Sequence, residues 1–95
     1  MSLLQRLQSW YLKQCNGDWE HDSGITIQTL DNPGWLMQIN LQGTSAEQLD
    51  FPRIKIERSE HDWMHASRTG DIIKLACGPE NLDEMLRVFL DWAGA

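Results

Sequence analysis

The sequence predicts a single α+β domain, residues 1–95, in which an antiparallel sheet of about four to five strands carries the N- and C-terminal helices on one face. Apolar residues recur at helical spacing at both ends of the chain, whereas the middle alternates apolar and polar residues with the two-residue period of strands. Short turn signals separate the alternating segments, and such links favour an antiparallel meander. A chain of 95 residues can bury one modest core.

The first predicted element is a helix over residues 2–14. Ser2 is a favourable N-cap residue, and Asn16-Gly17 is typical of the position just after a helix end. The apolar side chains of this segment define one helical face, which we expect to be buried: Leu3, Leu4, Leu7, Trp10 and Tyr11.

Residues 16–23 are predicted to form a polar loop that concentrates charge around one aromatic side chain. Asp18, Glu20, His21 and Asp22 surround Trp19 there. Trp19 has two interpretations, and the sequence does not choose between them. It closes one end of the core with its indole N–H bonded to a carboxylate or carbonyl, or it anchors a protein interface.

A β-hairpin is predicted after this loop. Ile25 and Ile27 alternate with polar residues in its first strand. Pro33-Gly34 suits a type II turn, because Pro fixes φ at the first central position and Gly accepts positive φ at the second. The return strand then alternates over residues 35–41 with one apolar side: Trp35, Met37, Ile39 and Leu41.

Three further strands are predicted after a polar connection at residues 43–50. They cover residues 51–58, 63–68 and 71–77, and the middle one has the weakest alternation. Pro52 is compatible with an edge strand or a strand start, and Thr69-Gly70 suits a short hairpin turn.

The last predicted element is a helix that follows residues 78–81. Either Pro79 occupies its first position, or Asn81 caps it and Glu84 completes a capping box. Its apolar stripe is expected to pack on the sheet or on the partner helix: Leu82, Met85, Leu86, Phe89 and Leu90.

Composition narrows the class of protein. The net charge of −6 argues against direct nucleic-acid binding through phosphate contacts and permits a basic partner, although it also serves solubility alone. No run reaches the ~20 apolar residues of a membrane helix, and the N-terminus lacks the pattern of a secretory signal, so the cytoplasm is the expected compartment. Cys15 and Cys77 are expected to be free thiols, although the sequence leaves one disulfide open.

The tripeptide Glu-His-Asp occurs twice, at residues 20–22 and 60–62. Histidine and carboxylates are able to bind a divalent metal or transfer protons, so a small metal-dependent enzyme or ligand-binding domain is the alternative function. However, the chain has no HExxH, G-x-S-x-G or phosphate-loop pattern. We therefore predict no catalytic, metal or cofactor residue, and no enzyme.

Several long phrases resemble the Immunity protein 53 family of bacteria, most specifically CNGDWEH and TLDNPGW, and the similarity runs from about residue 7 to residue 93. The resemblance implies a protein encoded beside a polymorphic toxin that neutralises its cognate toxin domain by binding it. No catalytic residues are implied, and a homo-oligomer remains open. The matching phrases and the charged loop nominate the candidate partner-binding residues: Asp18, Trp19, Glu20, His21, Asp22, Asp31, Trp35, Glu57 and Trp63.

Overall fold

A computed structural model describes all residues, 1–95. Along the chain the elements are α1 (Leu3–Gln14), α2 (Trp19–Asp22), β1 (Ile25–Leu30), β2 (Gly34–Asn40), β3 (Ile54–Ser59), β4 (Asp62–Thr69), β5 (Ile72–Cys77) and α3 (Leu82–Ala93). The α+β class is confirmed, because five antiparallel strands form one sheet and helices lie at both ends of the chain. The predicted strand with the weakest alternation is also present in the structure, as β4.

The strand order β1-β2-β5-β4-β3 corrects the predicted meander. β1 and β2 form one hairpin, and β3, β4 and β5 follow one another as neighbours, but β2 pairs with β5 and not with β3. The connection between β2 and β3 is too long for a hairpin and passes across the structure instead. Two long side chains fasten it: Gln14 bonds with Ser45 through both of its amide atoms, and the Arg68 guanidinium donates to the carbonyl of Leu49 at 2.6 Å.

The core lies between one face of the sheet and the two long helices. Trp10 of α1 meets Phe89 of α3 edge to face, with ring centroids 5.1 Å apart. The apolar stripe of α3 is confirmed, because its central residues are buried. The fully buried side chains of the sheet and of α3 are Met37, Ile39, Met64, Ile73, Leu75, Cys77, Met85, Phe89 and Leu90.

Helix α1 has a narrower buried face than predicted. Its cap is confirmed, because Ser2 and Gln5 form a reciprocal capping box. However, Leu4 is 64% exposed and Tyr11 is also exposed. The helix rests instead on the row that begins at Leu3 and Leu7 and reaches Trp10. Leu4 and Tyr11, each one position further along the chain, point to solvent.

The turn between β1 and β2 is not the predicted type II turn. Residues 31–33 form the turn, and Gly34 already lies in β2 without a positive φ. Its glycine is required for a different reason. A Cβ at Gly34 would collide with the carbonyl of Cys77 and lie 3.3 Å from the Trp63 ring, so the missing side chain makes room for neighbours across the sheet. At the β4–β5 turn Gly70 has a φ of +60°, which confirms that hairpin.

The start of α3 confirms only part of the second predicted arrangement. Asn81 is the N-cap residue, so Pro79 is not the first helical residue, yet the Asn81 side chain makes no cap hydrogen bond. It turns towards the β3–β4 hairpin instead, where it accepts from the Trp63 backbone N–H at 3.3 Å and donates to Asp62 at 3.0 Å. It also donates to Glu84 of α3 at 3.1 Å. Asn81 therefore joins the hairpin to α3.

Candidate functional site

The charged segment at residues 16–23 is a closed loop that includes the single helical turn α2, so the prediction of a loop throughout is corrected. The Asn16 carboxamide oxygen accepts from the backbone N–H groups of Asp18 and Trp19, at 2.9 and 3.0 Å. The Glu20 carboxylate accepts from those of Asn16 and Gly17, at 2.8 and 2.7 Å. Hydrogen bonds from its own backbone N–H and from that of Asn16 lower the pKa of Glu20. Glu20 thus holds the loop together.

Trp19 occupies the first of its two predicted positions. Its side chain is 4% exposed, and its indole Nε1 donates to the Asn40 carbonyl at 2.7 Å. The ring stands edge to face with Trp10 at 5.9 Å. Trp19 therefore closes the α2 end of the core, and in this conformation its indole offers no surface to a partner.

The remaining charged residues of the segment face solvent. Asp18, His21 and Asp22 are exposed, and none takes part in an ion pair within the chain. Beside Asp22 a groove of about 230 Å³ runs onto the sheet, where Thr26 and Gln38 line it. Of the predicted site residues in this segment, Asp18, His21 and Asp22 are therefore free at the surface, whereas Trp19 and Glu20 are engaged within the chain.

Asp31 lies in the turn at the opposite end of β1 and is exposed. Six residues of strand separate it from α2, which is roughly 20 Å at the rise of an extended chain. Exposed carboxylates therefore stand at both ends of β1, and the structure does not bring Asp31 into contact with Asp18 or Asp22.

Glu57 and Trp63 form a second group, on the sheet face that the helices leave open. They are directly opposite each other across β3 and β4. His65 joins them, because its Nε2 lies 3.0 Å from the Glu57 carboxylate and its ring centroid 5.2 Å from that of Trp63. Asn32 and Glu60 complete a groove of about 500 Å³ here. His65 is not among the predicted site residues, since only the strand register shows that it is the diagonal neighbour of Glu57.

The same open face carries basic residues that the sequence analysis also missed. Arg53, Lys55 and Lys74 line a groove of about 330 Å³ together with Leu36 and His65. Lys55 and Lys74 alternate with the apolar residues of β3 and β5, but alternation does not show that strands distant in the sequence bring them together. The surface is thus acidic beside β1 and locally basic at the middle of the open face.

Trp35 is separate from both groups. It faces the helices, packs against the core and donates its indole N–H to the Pro79 carbonyl at 3.1 Å. The nine predicted positions therefore lie in four places: the α2 segment, the turn at Asp31, the open face and the helix-covered face.

The two Glu-His-Asp tripeptides lie on different elements, one in α2 beside β1 and one at the β3–β4 turn beside the opposite edge strand. No three His, Cys, Asp or Glu side chains in the chain are grouped to hold a metal ion. Asp62 is engaged instead, because Arg58 contacts it at 2.8 Å, and hydrogen bonds from Arg58 and Asn81 lower the pKa of Asp62. The fold therefore provides no set of metal ligands for the alternative, metal-dependent function.

Both cysteines are free thiols, as predicted. Cys77 has no exposed surface, and burial raises the pKa of its thiol to about 11. It is therefore protonated and unreactive at neutral pH. No helix has the length and apolar character that crossing a membrane requires.

The fold and the candidate site define an α+β domain with one sheet face open and an edge strand flanked by carboxylates. The family model described as Immunity protein 53 matches residues 4–94, and the chain belongs to this family. No curated protein and no solved structure matches the chain. Membership of the family supports an immunity function and, with it, a toxin as the protein partner.

Proposed function

We propose that this protein neutralises a toxin domain by binding it directly in the cytoplasm, and that it acts without catalysis. The observation that carries the proposal is the match of residues 4–94 to an immunity protein family. As the resemblance to that family implies, the partner is the polymorphic toxin domain encoded beside this protein.

The acidic segment at α2 forms part of the proposed docking surface. The carboxylates of Asp18 and Asp22 are exposed and unpaired, whereas Trp19 is buried and Glu20 bonds to its own loop. With a net charge of −6, the chain attracts a basic surface, and charges at the rim of an interface chiefly speed association. Asp18 and Asp22 therefore take the steering role, and His21 lies between them. Glu57 and Trp63 on the open face stay predicted contacts.

The test measures protection and binding together. The protein is coexpressed with the neighbouring toxin domain, and association rates are measured with a non-toxic variant of that domain at several salt concentrations. The variant Asp18→Lys/Asp22→Lys should associate at least about tenfold more slowly at low salt, with a weaker salt dependence.

The control makes the same charge change elsewhere. Asp50→Lys/Glu80→Lys reverses two exposed carboxylates that have no ion pair and lie away from α2. Unfolding curves of both variants check that they are folded. Equal slowing by both pairs would show that only net charge matters and would remove α2 from the docking surface. A wild-type protein that neither protects cells nor binds the toxin domain would refute the proposed function.

A further inference from the structure

Strand β1 is an edge strand with nothing on its outer side. It pairs only with β2, in an unbroken register of six residue pairs from Ile25↔Ile39 to Leu30↔Gly34. Its middle residues are all exposed, and its sequence ITIQTL has neither charge nor proline. Alternate backbone N–H and C=O groups along this edge therefore point to solvent and are available to another strand.

The other edge strand, β3, is protected against such pairing. Pro52 precedes it, Lys55, Glu57 and Arg58 place charges along it, and its register with β4 shifts between Glu57 and Ser59. Charge, proline and bulges are the means by which proteins prevent edge pairing. The absence of all three at β1 in the same sheet marks it as the edge open to a partner.

We propose that β1 receives an extended segment of the toxin as a sixth strand of the sheet, an inference that rests on the proposed function and specifies its contact. Backbone hydrogen bonds would supply affinity, as in strand addition elsewhere. Ile27 supplies a side-chain contact: it shares the helix-covered face with its neighbour Met37 but remains 39% exposed, because the helices do not cover the edge. An incoming strand covers it.

The charges at the ends of β1 select the occupant. Asp22 precedes the strand and Asp31 follows it. In an antiparallel pair of two copies, Asp31 of one copy would approach Asp22 of the other, and both copies carry a net charge of −6. Like charges disfavour that arrangement. The complementary partner is an uncharged, β-branched strand of the toxin with basic residues at both ends.

Amide hydrogen exchange locates the contact directly. It is measured on the full protein, alone and with a non-toxic variant of the neighbouring toxin domain. Amides of residues 25–30 should gain protection in the complex, whereas those of residues 54–59 should not. Binding without protection in β1, or with protection at β3 alone, overturns strand addition and leaves the proposed function intact. Absence of any binding overturns both.

Two side-chain variants with matched controls test the same contact. Ile27→Lys should weaken toxin binding at least about tenfold, because it places a charge in β1 beside the centre of the added strand. Leu49→Lys, at a residue of equal exposure (40% against 39%) outside β1, should change it less than about twofold. Asp31→Lys should weaken binding although it lies roughly 20 Å from α2, and Asp50→Lys should not.

Strand addition is contradicted if folded Ile27→Lys and Asp31→Lys both bind as the wild type does. The oligomeric state of the protein alone tests the choice of occupant. Sedimentation should show a monomer at micromolar concentration. A dimer that dissociates on Ile27→Lys would assign this edge to a second copy and overturn the toxin strand.

Discussion

The α2 end of β1 and the β3–β4 hairpin are fastened to the rest of the protein by different kinds of contact. At the α2 end the main contact is a buried indole. The Trp19 ring packs edge to face against Trp10 and donates its N–H to the Asn40 carbonyl. At the turn end of the hairpin the side-chain contacts are polar, since Arg58 and Asn81 connect it to Glu84 of α3. The end of the unpaired edge strand β1 is thus held mainly by the burial of an apolar side chain. At the protected edge, polar side chains fasten the hairpin turn, while Met64, Ile54 and Ile56 pack into the core further along the strands.

The largest expected effect tests the apolar anchor. Trp19→Ala removes a buried aromatic side chain and its hydrogen bond, so it should lower the free energy of unfolding by about 3–5 kcal/mol. Urea denaturation measures this. Leu12→Ala, at a side chain that is 72% exposed, is the control and should stay within about 0.5 kcal/mol of the wild type. A similarly small change for Trp19→Ala would show that its indole is not part of the core.

An intermediate effect is expected at the polar anchor. Asn81→Ala leaves the Trp63 backbone N–H without its acceptor and removes a donor from Asp62 and Glu84. The free energy of unfolding should fall by about 1–3 kcal/mol. Gln48→Ala, at an exposed residue, provides the comparison. A loss at Asn81 equal to that at Trp19 would remove the difference between the two anchors.

The smallest effect concerns pH. The hydrogen bond from Arg58 holds the pKa of Asp62 below its ordinary value of 3.8, so the pair stabilises the folded state above that value and loses its effect as pH falls through the lowered pKa. Arg58→Ala should therefore destabilise the protein at pH 7, less than Asn81→Ala does, and the difference from wild type should shrink below about pH 4.

Denaturation across pH 2–7 gives this comparison. Arg87→Ala removes an arginine from an exposed ion pair with Asp83 within α3 and should cost less than Arg58→Ala at pH 7. A difference between wild type and Arg58→Ala that grows as pH falls would contradict the assigned role of the pair.

Local patterns predicted the elements well because periodicity records which face is buried. The alternation of Met37 and Ile39 identified β2 and its core side, and the stripe through Leu86 and Phe89 identified α3. The pairing of β2 with β5 could not be predicted, because residues of the two strands become neighbours only through the long connection after β2. The prediction of a meander was wrong for that reason.

The candidate site was predicted in outline and not in detail. Charge around Trp19 located the acidic segment, but the burial of Trp19 depends on the Asn40 carbonyl, which is distant in sequence. Similarly, the contact between His65 and Glu57 follows from register, and the need for glycine at position 34 follows from Trp63 across the sheet. These relations are tertiary, so no local pattern contains them.

The central place of β5 in the sheet has a consequence for biosynthesis. β2 has no second neighbouring strand until β5 emerges from the ribosome. The core also lacks the buried side chains of α3 until the residues after β5 are made. Pairing strands so distant in sequence is also slow compared with closing a hairpin. Until then β1 belongs to a two-stranded hairpin with β2, which is only marginally stable in water. On the proposed mode of toxin binding, a chain that stops before β5 should therefore fail to bind the toxin domain.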